Sequence, residues 1–262
     1  STFFGRGENQ IMEIINAAKF SVFFIDESQR VHIDDIGSKA EIRKHATELG
    51  ADIEELTLES QFRCNGSKGY VAWVDDVLGI RRTANADGFD LDFDLRMFDS
   101  PQALHEAIKA KNEQTRLSRV VAGYCWEWEK EGRSDPDAVD IEIGDYERSW
   151  NLDTNDPWAI AEGSIDEVGC IHTCQGLEFD YVGVIIGEDL KYLDGETVDD
   201  HEERARSDRS LFGIKKMFEE ELETAAELAE ELIKNTYRTL MTRGMKGCYL
   251  YCCDEELQEY LR

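Results

Sequence analysis

Proline, cations and long apolar runs are what this sequence has least of. Three prolines in 262 residues, with no low-complexity tract, exclude a proline-rich linker or a disordered chain. Lys and Arg total 29 against 57 Asp and Glu, a net charge of −28. That deficit excludes broad electrostatic adhesion to nucleic acid or to anionic membranes, while leaving room for a groove with a few aimed cations. No run approaches the ~18 apolar residues of a membrane span. Ser1-Thr2-Phe3-Phe4-Gly5 lacks the basic and then apolar order of a signal peptide, and the missing initiator Met suggests a cut inside a longer chain. The phosphate-cradling pattern G-x-x-x-x-G-K-[ST] is absent. Gly66-Ser67-Lys68-Gly69 and Gly244-Met245-Lys246-Gly247 do not have its spacing.

What is present suits one large or two small globular domains, with 41% hydrophobic residues to build a core. The seven cysteines are an odd number, and several lie in apolar runs where a thiol acts as a small hydrophobe. A reducing, cytoplasmic compartment fits them better than a disulfide framework. Cys170, His172 and Cys174 alternate as on a strand and lack the pair spacing of zinc sites, so no metal site is expected. The five tryptophans read as packing residues rather than base-stacking platforms.

Strand-like and helix-like segments alternate, which predicts an α/β protein with a mainly parallel sheet. Residues 20–25 read as a buried strand ending at Asp26. Further strands are expected at 56–58, 95–98, 119–126, 168–171, 182–186 and 248–252. Helices are expected at 8–18, at 38–49 behind the cap Ser38, at 70–78, at 100–111 opened by Ser100-Pro101, and at 215–233. Residues 129–162, holding Pro136, Pro157, Gly132 and Gly144, read as an insertion or a hairpin.

Four segments carry chemistry. Phe23-Phe24-Ile25-Asp26-Glu27-Ser28-Gln29 places an acidic pair at the end of an apolar run, as nucleotide hydrolases do to hold magnesium or polarise water. An ordinary acidic turn is the plainer reading. Leu58-Glu59-Ser60-Gln61-Phe62-Arg63 puts an arginine just past a short apolar segment. Ile171-His172-Thr173-Cys174-Gln175-Gly176-Leu177-Glu178-Phe179 and Tyr237-Arg238-Thr239-Leu240-Met241-Thr242-Arg243-Gly244 complete the set. Each also has a plain structural alternative: Arg63 as a surface ion-pair partner, His172 as a satisfied strand histidine, Arg243 as a donor to helix carbonyls, and Gly176 and Gly244 as turns.

Taken together and in order, the last three segments resemble superfamily 1 helicase elements, L-E-x-N-Y-R, H-x-x-K-G-L-E-F and x-x-x-T-R-A-x-x-x-L-Y. Their wording is similar to the Schlafen-type helicase-like ATPase domain of bacterial proteins. Gln29 and Arg63 stand 34 positions apart, room for about one helix and one strand. In the family that is the gap between a third motif, G-D-x-x-Q, and the arginine motif. Asp26-Glu27-Ser28-Gln29 then corresponds to the third motif, with Gln29 sensing the γ-phosphate.

The resemblance implies residues 1–36 as the tail of a first RecA-like domain and residues 37–262 as the second, with an insertion at 129–162. It implies Arg63 and Arg243 as the cations that stabilise the transferring phosphate, since guanidinium is forked and always charged. It implies Glu178 on the ribose, with Gly176, Asp26 and Glu27 around ATP and Mg2+, and His172 and Thr173 beside single-stranded DNA or RNA. The phosphate loop and the Walker B acids would lie upstream, so this stretch alone is expected to bind ATP weakly and not to turn it over. Gln175 stands where the family has Lys and Cys170 where it has Thr, which weakens the helicase reading more than the ATPase reading. Two rivals remain: a regulatory NTPase that moves a protein partner, and a binding module without ATPase function, in which Arg63 and Arg243 would not share a cleft.

Overall fold

The computed structural model describes residues 9–33, 38–57, 63–83, 93–128, 133–135, 137–152, 157–161, 163–174 and 176–262. Asn9 caps α1 (Gln10–Ala17) by accepting from Ile11 N. Ser38 caps α2 (Lys39–Glu48) by accepting from Glu41 N, and Gly50, with φ +69°, closes it. Ser67 opens α3 (Lys68–Val77) in the same way, and β1 (Asp94–Met97) follows. Ser100 with Pro101 opens α4 (Pro101–Thr115), which leads into β2 (Ser118–Ala122). The expected insertion contains the hairpin β3 (Ile141–Ile143) and β4 (Tyr146–Arg148), turned at Gly144 with φ +58°.

Next come β5 (Val168–Gly169), the single turn α5 (Ile171–Cys174) and β6 (Phe179–Ile186). The hairpin β7 (Leu190–Leu193) and β8 (Glu196–Asp199) follows, and then α6 (Ile214–Glu220), α7 (Leu222–Met241), β9 (Gly244–Cys252) and α8 (Glu255–Tyr260).

Five strands form one parallel sheet in the order β1-β9-β6-β2-β5. The pleat sorts successive side chains to opposite faces. Val121, Val184 and Leu250 join the core that α3 and α7 cover, while Val120, Ile185 and Tyr249 join the core that α4 and the β3–β4 hairpin cover. A parallel sheet with helices on both faces is the architecture of a RecA-like α/β domain. Close packing requires glycine where the layers meet. A Cβ at Gly183 would stand 2.6 Å from Leu104 Cδ2, and one at Gly123 would stand 1.9 Å from Tyr237 Oη. Among the described residues no helix is long and apolar enough to cross a membrane.

Several expectations need correction. Residues 20–25 are not a buried strand: the backbone is irregular, and Phe20 and Phe24 are 84% and 83% exposed. A parallel strand is stable only with hydrogen-bonded neighbours, and none of the described strands pairs with this run. Leu56 is likewise exposed and outside any strand, while 58 falls outside the described residues. Strand β5 ends at Gly169 and the chain turns helical, so Cys170, His172 and Cys174 do not alternate along a strand. The expected helix 215–233 is two helices broken at Glu221, the second running on to Met241. Strand β2 stops at Ala122, short of 126.

Candidate functional site

The first signature segment forms a 3-10 turn, Glu27–Gln29, lying on α7. Two contacts and one buried side chain hold its continuation there. Asn235 Nδ2 donates to Arg30 O at 3.1 Å, Val31 is buried, and Arg30 lies 3.9 Å from Glu231. Gln29 is thereby presented to the end of α7. Its amide nitrogen donates to Asp26 Oδ2 at 2.7 Å and its amide oxygen accepts from Arg243 Nη2 at 3.4 Å. Asp26, Gln29 and Arg243 thus form one chain of polar contacts. Glu27 faces elsewhere: its Oε1 accepts from Lys39 N at 3.0 Å, at the first turn of α2, where a carboxylate suits the helix dipole.

Arg243 sits between α7 and β9, where Thr242 ends the helix by donating back to Arg238 O. Arg243 is 3% exposed as a residue, and its Nη1 donates to Leu177 O at 3.1 Å. Phe179 N donates to Arg243 O at 2.8 Å as β6 begins beside β9. The third and fourth segments are therefore joined at the N-terminal ends of two neighbouring strands. The carbonyl that Arg243 binds belongs to the loop after α5, not to a helix end. Gly244 is glycine because a Cβ there would meet Gly247 O at 2.1 Å.

Arg63 opens a 3-10 turn, Arg63–Gly66, and only its backbone falls among the described residues. The turn is fastened to the same corner. Cys64 Sγ lies 3.7 Å from Thr242 O, and Tyr70 Oη donates to Met241 O at 3.0 Å. The arginines at 63 and 243 thus emerge from adjoining backbone, although 58–62, the rest of that segment, lies outside the described residues.

Glu178 and Gly176 are exposed in the loop before β6, with Gly176 at φ +84°, the left-handed region where glycine is at ease. Gln175 lies outside the described residues. His172 is exposed on α5, and its ring centroid stands 6.4 Å from that of His32. It is a surface residue on a helical turn rather than a strand histidine. Thr173 is half-buried, and its hydroxyl donates to Asn151 Oδ1 at 2.7 Å. Burial pushes the Cys174 thiol well above its ordinary range, with the Arg243 charge opposing that shift.

Two contributors escaped the sequence reading. Asp75, on the buried face of α3, accepts from Arg238 Nε at 2.5 Å and from Arg81 Nη2 at 2.9 Å, which orients the last turns of α7. The available signal was the pair Asp75-Asp76 between Val74 and Val77, of which Asp75 falls on the apolar face of the helix. Asn151 offered none, because it lies in the irregular segment.

A buried guanidinium, an amide and an exposed carboxylate converge near one corner of the sheet, and these groups suit a nucleotide's phosphates and sugar. Among the described residues no three His, Cys, Asp or Glu side chains converge as metal ligands.

A family model described as Schlafen group 3, DNA/RNA helicase domain, matches residues 2–254. An uncharacterized protein of Saccharomyces cerevisiae is 28% identical over 277 residues, covering 97% of this chain and 59% of that relative's length. This chain therefore spans less than two thirds of the relative. The relative is fungal, and the bacterial occurrence expected from the motif wording draws no support from it. No solved structure matches.

Proposed function

The chain belongs to the Schlafen group 3 DNA/RNA helicase-domain family; from that premise we propose that it is the C-terminal portion of an ATP-dependent, helicase-like motor. In this reading residues 37–262 form the second lobe of a two-lobed core, and an upstream lobe of the same polypeptide carries the phosphate loop. The observation that carries the proposal is the meeting of Gln29 with Arg243. Two segments 214 positions apart bring the Gln29 amide, read here as the phosphate sensor, against a buried guanidinium.

When ATP enters, the γ-phosphate oxygens take the acceptor place that Gln29 Oε1 holds against Arg243. The guanidinium then faces the charge that develops on the transferring group. Arg63 joins it from the adjoining turn, Glu178 accepts from the ribose, and Asp26 keeps Gln29 oriented. ATP supplies the phosphoryl group, and Mg2+ would come with it as counter-ion. No step is assigned to the metal, since the described residues present no ligand set for it. His172 and Thr173 face single-stranded nucleic acid, and their turn, α5, is continuous with the loop that Arg243 grips. Closure on nucleotide can thus reach the strand.

The test is ATPase activity of the full-length protein with and without single-stranded RNA or DNA, beside Arg243→Ala. Activity stimulated by nucleic acid and lost in the variant supports the motor. Activity indifferent to nucleic acid supports the second reading, a regulatory NTPase acting on a protein partner, which the net charge of −28 favours. Unchanged activity in the variant removes Arg243 from the site.

A further inference from the structure

The end of the segment 129–162 is pinned to the sheet. Val168 N donates to Ser149 O at 3.0 Å, and Trp150 bridges Val168 in parallel register. Glu167 Oε2 accepts from both Leu152 N and Trp158 Nε1, each at 2.9 Å. Asn151, held between these anchors, is 7% exposed and receives the Thr173 hydroxyl on its Oδ1.

A threonine hydroxyl has one proton and two acceptor lone pairs. Here the proton is committed to Asn151 Oδ1, an oxygen that can only accept. Cys170 Sγ lies 3.2 Å from the same Thr173 oxygen. Burial raises the Cys170 pKa and keeps it a thiol, so its S–H is the donor in that pair. One lone pair is left. Half-buried Thr173, beside exposed His172, therefore offers an arriving strand an acceptor and no donor.

Phosphate oxygens are acceptors and cannot pair with that lone pair. A deoxyribose has nothing to donate to it, whereas a ribose 2′-hydroxyl does. We infer that the strand passing Thr173 is RNA, read through a ribose 2′-hydroxyl donated to Thr173 Oγ1, with Asn151 as the positioning residue that leaves this oxygen acceptor-only. The inference rests on the proposed nucleic-acid role of α5 and adds the class of polymer and the part played by the inserted segment.

The test is a fluorescence-anisotropy titration of the full-length protein with labelled single-stranded oligoadenylate and its deoxy counterpart. The base amines are identical in the two, so the affinity ratio isolates the sugar. RNA is expected to bind roughly two- to ten-fold more tightly, the range for one net hydrogen bond. Thr173→Val removes the oxygen, and the ratio falls to about one. Asn151→Ala frees the hydroxyl proton for phosphate, and the ratio falls as well. Asn151→Asp keeps an acceptor at that place and retains the ratio, even where the added charge lowers both affinities. Equal affinities in the unaltered protein, or a preference that survives Thr173→Val, overturns the inference and leaves the nucleic-acid reading standing. Binding of neither polymer removes that reading and the inference together.

Discussion

Gln29 Oε1 accepts a hydrogen bond from Arg243 Nη2 at 3.4 Å, and Gln29 Nε2 donates to Asp26 Oδ2 at 2.7 Å. The amide is oriented by its two partners: its nitrogen faces the carboxylate and its oxygen faces the guanidinium. Arg243 is buried and meets the Gln29 amide, whose place an incoming phosphate takes in the proposed function. This relationship links the two ends of the chain and gives the cluster its proposed use.

The exposed apolar run 20–25 makes the first prediction. Phe24→Ser and Phe20→Ser remove side chains that pack on nothing described, so the unfolding free energy of this chain should change by no more than about 0.5 kcal/mol. The same substitutions in the full-length protein should reduce the ATPase activity proposed for it, because the run leads directly into Asp26 and Gln29. Urea unfolding and a phosphate-release assay check the two halves. A large stability loss in this chain would mean that the run is buried after all.

A buried ionic knot makes the second. Arg204 donates to Asp189 Oδ2 at 2.9 Å and to Asp208 Oδ2 at 2.9 and 2.6 Å, and all three side chains are almost fully buried. Tyr237 Oη donates to the other oxygen of Asp189 and accepts from Gly187 N at 2.9 Å. Arg204→Ala strands two buried carboxylates, with an expected loss of about 3–5 kcal/mol in urea unfolding. Arg204→Lys keeps a charge but not the fork and should recover only part of it. Gly123→Ala strikes the same knot through Tyr237 and should cost about 3 kcal/mol.

His105 makes the third. It is fully buried, with Nε2 donating to Ile165 O at 2.7 Å and Nδ1 accepting the Tyr146 hydroxyl at 2.7 Å. The tautomer follows from Ile165 O, which can only accept. Burial pushes the His105 pKa below its ordinary value. Between that lowered value and ~6.5, the unfolded chain binds a proton that the folded chain refuses, so stability rises with pH across the window. It is complete above ~6.5 and is lost as pH falls toward the lowered value. Relief of acidic self-repulsion works the other way, so the comparison with His105→Phe isolates the histidine. The denaturant midpoint of the unaltered protein should fall more steeply below about pH 6.5 than that of the variant.

Much of the fold was legible in the sequence. Buried parallel strands are apolar on both faces, so residues 182–186 and 248–252 stood out, and Ser38 and Ser100 do cap helices. Residues 20–25 have the same composition but no neighbouring strand, and composition alone does not reveal that difference. The break at Glu221 lies inside an acidic stretch whose helical pattern continues through it. The hairpin β7–β8 was missed although Asp194-Gly195, with φ of 53° and 92°, is a two-residue turn pair between strand-like flanks. Gln29, Arg243 and Glu178 came from ordered resemblance. Asn151 was invisible because its partner lies 22 positions away in another element.

The central claim is that Gln29 and Arg243 act on one nucleotide. A double-mutant cycle on the ATPase rate of the full-length protein, using Gln29→Ala, Arg243→Ala and the pair, tests it most directly. The account predicts strong non-additivity, with the double variant little worse than Arg243→Ala alone. Losses that multiply independently, or a Gln29→Ala variant with full activity, would contradict it.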